Sequence, residues 1–352
     1  MASALGAKAL TRILLPTSVA AAGYGATRPA TKEWVKNFVT GPGKYSRIAL
    51  LFLLLLNWKS LPGAWTIRIW RAMIYHLFVR PRPRLPPSCL FHYSITTSYA
   101  SLVETDYNLH KSNSTYFADL DVSRTHLVSH LLRPGLKAIA ENLSTGCVLD
   151  PRTNKPVNGK MGVMLGSVFA SFRKEIKPME KFEMWSRILS WDRKWFYIAT
   201  HFVQPTRPAS WDWQGRRWGP TRKPILAEKG EQGWEKRIFA TCVSKYVFKL
   251  GRLTVNPAVV VEQSGFLPEG RPGGWTGGES GTGTPVELNG ETVFPAAPGE
   301  NGEQGGEEWR WQHVEKMRLK GMEFAEHFAA LDALHNDWDA GEEGALGHFW
   351  IG

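Results

Sequence analysis

The sequence predicts an α+β fold in which an antiparallel sheet wraps around one long helix. The first observation is a helical stripe over 114–132, where Phe117, Leu120, Leu127 and Leu131 recur at helical spacing. The second is a set of half-apolar stretches typical of strands, over 91–103, 138–148, 162–173, 181–190, 195–203 and 237–250. Since the order is strand, helix, strands, a sheet wrapped around the helix buries both economically.

The individual elements have local signals. The strand over 195–203 has the clearest alternation, with Phe196, Ile198 and Phe202 on one face. The pair Pro134-Gly135 predicts the end of the long helix. Asp192, after Trp191, is the residue type that forms a turn between two strands.

The first hundred residues carry nearly all of the net charge. They hold thirteen Lys and Arg against one acid, Glu33, which is a net charge of +12. Since the whole chain has a net charge of +11, the remaining residues together contribute −1. The basic residues flank the apolar run 48–56, which favours a membrane surface over nucleic acid as the partner.

A stretch over 48–65 is nearly long enough to span a bilayer, so both spanning and lying in the interface stay open. The stretch 65–79 interleaves apolar residues with Arg68, Arg71 and His76, which predicts a basic amphipathic helix at the interface. The alternative is a buried helix hairpin of a soluble domain.

These signals divide the chain into four parts. Residues 1–90 form a basic, membrane-associated segment, and residues 91–265 form the main domain. Residues 266–306 are a glycine-rich linker that cannot bury enough apolar area to fold. Residues 307–340 have helical spacing of apolar side chains and predict an amphipathic helix that packs on the sheet or on a partner subunit.

One motif carries chemistry. Asp106, His110 and Asn113 lie just before the predicted long helix, where unpaired backbone N–H groups and the helix dipole can polarise a carbonyl oxygen. A carboxylate, an imidazole and an amide at a helix start favour acyl transfer.

The segment 106–124, with Trp191-Asp192 and the strand after it, resembles the hotdog-fold acyl-CoA thioesterases of the hydroxybenzoyl-CoA thioesterase type. The resemblance is strongest to the membrane-associated thioesterase-superfamily-member-six branch and to fungal thioesterase-like proteins. In that family the loop reads roughly Asp-x-x-Gly-His-x-Asn-Asn-Ala-x-Tyr, and Asp106, His110, Asn113 and Tyr116 fall at the same offsets. Leu109 stands in place of the glycine, and a serine replaces one asparagine.

The resemblance implies a hotdog fold over 91–265, an acyl-CoA substrate, a homodimer and catalysis without a cofactor. It implies that Asp106 activates water or attacks the carbonyl, while the backbone N–H of Asn113 or a neighbour holds the oxygen. His110 is expected to fix the loop more than to act as the base, and Asn113 can equally be a helix cap. The alternative function is a catalytically silent hotdog protein that binds acyl-CoA, lipid or a protein partner at the membrane.

Other chemistries lack their motifs. His126 and His130 are four residues apart on the helix, but no third ligand is evident, so we expect a surface pair and no metal site. No Gly-x-Ser-x-Gly elbow or complete phosphate loop occurs, which argues against a serine hydrolase or a nucleotidase.

The location follows from the cysteines and the sequons. Cys89, Cys147 and Cys242 make no CxxC pair or even set, which favours a reducing compartment. A glycan on the sequon at Asn113 would block the proposed site, which also favours the cytosolic side. We therefore expect a domain at the endoplasmic reticulum that faces the cytosol. Mitochondria are the alternative because residues 1–30 weakly resemble a transit peptide.

Overall fold

The computed structural model describes residues 29–80, 85–206, 235–268 and 311–333. Its helices are α1 Pro29–Thr40, α2 Lys44–Leu56, α3 Ala64–Ile74, α4 Tyr116–Leu131, α5 Arg133–Ala140, α6 Asn142–Thr145, α7 Pro257–Gln263, α8 Trp311–Ala325 and α9 His327–Ala333. Its strands are β1 Ser94–Tyr99, β2 Met161–Phe172, β3 Lys181–Trp191, β4 Trp195–Val203, β5 Ile238–Leu250 and β6 Leu253–Val255. The predictions for residues 1–28, for most of the glycine-rich linker and for 334–340 lie outside the described residues.

The strands form one antiparallel sheet with the order β1-β3-β4-β5-β2, and β6 pairs with β5. Four predicted strands are confirmed nearly residue for residue, and the predicted strand over 91–103 is confirmed in shortened form as β1. A bulge in β2 lies at Gly166, where a Cβ atom would meet the Trp195 ring at 2.7 Å. Glycine therefore lets the indole lie over the strand.

Helix α4 packs across one face of this sheet, which confirms the hotdog architecture. Its buried side chains include Leu120, Leu127 and Leu131, as the stripe predicts. Phe117 is the exception, since its side chain is exposed. The first turns of α4 contact a layer of aromatic rings on the sheet, and its last turns contact a second apolar cluster around Trp191 and Phe196.

The predicted strand over 138–148 is wrong, because this segment begins with helices α5 and α6. The long helix α4 ends at Leu131, and Pro134 lies in the first turn of the next helix, α5, where a missing N–H costs nothing. The Pro-Gly pair therefore marks the start of a second helix. A side chain at Gly135 would collide with the carbonyl oxygen of Val260 in α7. The side chain of the buried Asn142 donates to the backbone carbonyls of Val148 and Val157. Asn142 is also the asparagine of a second glycosylation sequon, Asn142-Leu143-Ser144, and these bonds hold it away from the surface.

Helices α8 and α9 cover the other face of the sheet. Of the two alternatives for the C-terminal helix, packing on the sheet or on a partner subunit, the structure has the first. A side chain at Gly321 would collide with the carbonyl oxygen of Leu189, so α8 lies directly on β3. The Ser190 hydroxyl donates to the Arg318 carbonyl at 2.6 Å, and the rings of Phe328 and Tyr197 meet at 6.1 Å. Phe324 and Leu331, which belong to the predicted stripe, are exposed.

The N-terminal helices differ from a single spanning helix. Helix α2 ends at Leu56, where the Asn57 side chain bonds the Leu53 carbonyl, so the predicted stretch 48–65 is not continuous. Among the described residues no single helix is long and apolar enough to cross a membrane, although α1 and α2 together, bent by 99°, meet the length and composition requirement. Helix α2 has no buried residue, so the buried-hairpin alternative is wrong.

Helix α3 confirms the predicted amphipathic helix and continues as a π-helical turn, Tyr75–Val79. Its inward face is the i, i+4 series Ala64, Arg68, Ala72 and His76, and it packs on α4. Its outward face carries exposed apolar side chains, namely Ile67, Trp70, Ile74 and Phe78. Arg68 therefore packs on the protein, while the exposed Arg71 lies on the surface with the uncovered apolar side chains.

Candidate functional site

The loop before α4 is a tight hairpin headed by Asp106. A bridge between Thr105 and Lys111 closes it, and the Asp106 N–H donates to the His110 carbonyl at 2.9 Å. The Asp106 Oδ1 accepts the Asn108 N–H at 2.9 Å, as in an Asx turn. One carboxylate oxygen is therefore used to shape the loop.

Leu109 completes this turn in the left-handed region, with φ at 60°. This is the position where the resembling family has glycine, and glycine adopts that backbone without strain. A leucine there costs roughly 1–2 kcal/mol relative to an ordinary backbone. The loop thus keeps the turn that the motif specifies, although the residue is unfavourable for it.

The second oxygen of Asp106 faces His110. His110 Nδ1 lies 3.4 Å from Asp106 Oδ2, and His110 Nε2 lies 3.7 Å from Glu175 Oε1. The side chains of Asp106 and His110 are 23% and 21% exposed, so the pair is reachable by a ligand. An imidazole held between two carboxylates can orient the Asp106 carboxylate, as expected for a loop-fixing histidine.

Asn113 is the first residue of a 3-10 turn, Asn113–Thr115, that leads directly into α4. The N-cap of that turn is Ser112, so Asn113 does not have the cap role that was one of its alternatives. Its side chain is exposed at the helix start. The motif residues Asp106, His110 and Asn113 thus belong to one loop that ends at a helix N-terminus.

Beside this loop lies a buried charge cluster that the sequence reading missed. It consists of Asp119, Glu104, Lys59, Lys111 and Arg68. Asp119 contacts Arg68 at 2.7 Å, Lys59 at 2.9 Å and Lys111 at 3.0 Å, while Glu104 contacts Lys59 at 2.9 Å and Lys111 at 3.1 Å. The sequence signal for this cluster was Asp119, a charged residue on the same helix face as Tyr116 and Leu120, which are both buried.

The contacts of this cluster stabilise the fold and leave no carboxylate oxygen of Asp119 for a substrate. Burial alone would raise the pKa of Asp119, but the cations of Lys111, Lys59 and Arg68 outweigh it and hold that pKa well below its usual range. Because the fully buried carboxylate also accepts the Ser98 hydroxyl, its oxygens are occupied. Asp119 therefore locks the N-terminal segment, the loop and α4 together, and it is not free to attack a substrate.

Aromatic rings fill the space between the start of α4 and the sheet. Tyr116, the last motif residue, is 2% exposed, and its ring lies 4.9 Å from Phe202 and 5.0 Å from Phe172. Phe182 adds a further ring 5.6 Å from Phe202. Tyr116 therefore packs in the core and does not line an open channel.

The histidine pair is not on the surface, which corrects that prediction. His126 and His130 are half-buried against His76 of the N-terminal segment, with His76 Nε2 2.9 Å from His126 Nδ1. Burial, together with the neighbouring rings and arginines, lowers the pKa of His76 to about 3 and that of His130 to about 4, and it lowers the pKa of His126 as well. No group of three or more His, Cys, Asp or Glu side chains in the described ranges is placed to hold a metal ion.

The second motif forms the predicted turn. Asp192 Oδ1 accepts the N–H groups of Lys194 at 2.7 Å and Trp195 at 2.6 Å, and the Tyr197 hydroxyl donates to Oδ2 at 3.0 Å. All of these bonds are internal, so the role of Asp192 as a turn former is confirmed.

Comparison with known proteins agrees with this fold and loop. The model of the Thioesterase-like superfamily matches residues 101–248, which contain the Asp106 hairpin, α4, strands β2 to β4 and most of β5. The chain is 30% identical over 332 residues to the Probable thioesterase atnL of Emericella nidulans, covering 90% of this chain and 93% of the relative.

Two further relatives are similar. The chain is 32% identical to Thioesterase poxG of Penicillium oxalicum, covering 83% of this chain and 87% of the relative. It is 28% identical to Protein THEM6 of Xenopus laevis, covering 44% of this chain and 61% of the relative. By its match over nearly its whole length, its hotdog sheet and helix, and the loop at the start of α4, the chain belongs to the thioesterase-like superfamily.

Proposed function

We propose that this protein is a membrane-tethered acyl-CoA thioesterase that hydrolyses a fatty acyl-CoA thioester at Asp106. The observation that carries the proposal is the Asp106–His110 pair, which is reachable from solvent in a loop that ends at the start of α4. Family membership supports thioester hydrolysis as the reaction.

We infer the following chemistry for this site. Asp106 Oδ2 takes a proton from a water molecule while the water oxygen attacks the thioester carbonyl. The negative charge that develops on the carbonyl oxygen is stabilised by N–H groups at the helix start, at Asn113 or a neighbour. The C–S bond then breaks, and the CoA thiolate takes up the proton. The alternative is direct attack by Asp106, which forms a mixed anhydride that water cleaves.

The surface of the N-terminal helices supports the membrane tether. Helix α2 exposes Ile48 and the leucines and phenylalanine from 50 to 55 around its whole circumference. The outward face of α3 adds Ile67, Trp70, Ile74 and Phe78. An uncovered apolar surface of this size next to Lys44, Arg47 and Arg71 fits an anionic bilayer. The free cysteines support a cytosol-facing domain, at the endoplasmic reticulum or, as the alternative, at mitochondria.

The edge strand β2 supports a homodimer. Within the described residues β2 pairs with β5 alone, and it exposes Val163, Met164, Leu165 and Phe169. An exposed apolar edge strand is a template for pairing with a second chain. The proposal is tested by sedimentation of the purified parent protein and, separately, of a Met164→Arg variant. The parent protein is expected to be a dimer and the variant a monomer. A monomeric parent protein would contradict the proposal.

The decisive experiment is release of free thiol from long-chain acyl-CoA by the purified full chain. The Asp106→Asn variant is expected to lose about 10² or more in turnover, as general-base removal typically does. Asp150→Asn is the matched control, because Asp150 heads a similar turn in which its Oδ1 accepts the Arg152 N–H at 2.8 Å. Equal rates for Asp106→Asn and the parent would remove Asp106 from the reaction.

A catalytically silent, acyl-CoA-binding protein is the second candidate. Two observations favour it: one Asp106 oxygen is used by its own loop, and Leu109 occupies the left-handed position. Binding of acyl-CoA by calorimetry without any thiol release would establish this candidate instead.

A further inference from the structure

The turn that carries Asp106 also carries two exposed apolar side chains. Tyr107 is 92% exposed and Leu109 is 74% exposed, although both lie within three residues of the proposed catalytic carboxylate. Val103, at the start of the same loop, is 68% exposed. Large apolar side chains next to a reactive group indicate a surface that is covered when the site works.

This loop is bonded to the end of the apolar helix α2. The Tyr99 hydroxyl donates to the Leu56 carbonyl at 2.8 Å, and the Val103 N–H donates to Asn57 Oδ1 at 2.9 Å. Lys59, two residues further on, lies 2.9 Å from Glu104 in the buried charge cluster. These bonds fix the loop relative to the N-terminal helices, so the two cannot take positions independently.

The core offers little room for an acyl chain at this end of the domain. The layer between the start of α4 and the sheet is filled by the rings of Tyr116, Phe182 and Phe202, and the charge cluster of Asp119 lies beside it. A fatty chain does not enter a buried charge cluster, since it would displace ion pairs without replacing them. An acyl chain whose thioester is at Asp106 must therefore lie outside this layer.

We propose that the turn 106–110 enters the surface of an anionic bilayer together with α2 and α3, and that the substrate is a thioester whose acyl chain stays in that bilayer. The inference rests on the proposed thioesterase function and specifies how its substrate arrives. Tyr107 and Leu109 insert among the lipid headgroups and acyl chains, while basic side chains on α2 and α3, including Lys44 and Arg71, contact anionic headgroups. The thioester, which lies at the headgroup level, then meets Asp106.

Insertion is measured separately from activity. The full-length chain carries Tyr107→Cys in a Cys147→Ser background, and an environment-sensitive fluorophore is attached to the new thiol; Cys89 and Cys242 are buried and do not compete. Vesicles contain phosphatidylcholine and phosphatidylserine with bromine-substituted acyl chains. Strong quenching is expected at position 107. The matched control is Leu143→Cys, an exposed position on α6, which is expected to stay unquenched. An unquenched label at position 107 would overturn the inference.

Activity supplies the second arm. Thiol release is followed from palmitoyl-CoA in the same vesicles and from butyryl-CoA in solution. Tyr107→Ser is expected to lower the palmitoyl-CoA rate about tenfold, since it removes an inserted aromatic side chain. Leu143→Ser changes another exposed apolar side chain, which is 64% exposed, and is expected to have no effect on the palmitoyl-CoA rate.

The outcomes distinguish the two proposals. Quenching at position 107 without thiol release from either substrate contradicts the proposed function and supports bilayer insertion. Thiol release that is independent of both vesicles and Tyr107 supports the function and overturns the inference.

Discussion

Asp119→Asn tests the view that the buried charge cluster holds the N-terminal segment on the domain. The change keeps the shape of the side chain and removes its charge. Lys59 and Lys111 then keep a single carboxylate, that of Glu104, and Arg68 loses the carboxylate of Asp119. Removing one partner of a buried pair typically costs about 3–5 kcal/mol. This is a large part of the roughly 5–15 kcal/mol that stabilises a domain.

The measurement is urea unfolding of the full chain in a mild detergent, compared with limited proteolysis in the segment 57–63. Asp119→Asn is expected to lower the free energy of unfolding by that amount and to speed cleavage of the segment. Glu141→Gln is the control, because Glu141 and Lys137 form an exposed pair at 3.7 Å whose loss costs at most about 0.5 kcal/mol.

The pH dependence adds a second readout. The depressed pKa of Asp119 means that its stabilising contribution is complete above the pKa of an unfolded aspartate and is lost only as the pH falls through the lower folded value. If Asp119→Asn is as stable as the parent protein at neutral pH, the cluster does not hold the segment.

Two further predictions concern the loop and the histidines. Leu109→Gly is expected to raise the free energy of unfolding by about 0.5–1 kcal/mol, because the relief of left-handed backbone strain exceeds the entropy cost of glycine. Leu109→Ala is the control, since alanine keeps the strain. An equal gain in stability in the alanine variant would refute the reasoning. The folded-state pKa values of His76 and His130, lowered to about 3 and about 4, mean that the unfolded chain binds more protons below pH 6.5. The free energy of unfolding should therefore fall as the pH drops from 6.5 towards 4, and His76→Leu should make the decline shallower in thermal unfolding scans; identical slopes would show that the ring does not titrate.

Local patterns predicted most of the fold. Phe196, Ile198 and Phe202 define a face of β4 by their period alone, and that face is buried against α4. The segment 138–148 failed because its apolar spacing is short and ambiguous, and only contact with α7 at Gly135 and the bonds of Asn142 decide that it begins as helix.

The candidate site shows the same division. Asp106, His110 and Asn113 are close in sequence, so their common loop followed from spacing. Lys59 and Asp119 are sixty residues apart, and no local pattern pairs them. The meeting of His76 with His126 likewise depends on the packing of α3 against α4.

The sequence by itself determined the wrapped sheet, the central helix, the thioesterase-like loop and the basic apolar N-terminus. Each of these follows from the periodicity or the spacing of residues within a single helix, strand or loop. The tertiary structure decided which side of α3 is turned to the protein, where the C-terminal helix lies, and how the loop of Asp106 is bound to the N-terminal helices. These depend on contacts between distant parts of the chain, whose partners are set by packing and by the need to pair buried charges.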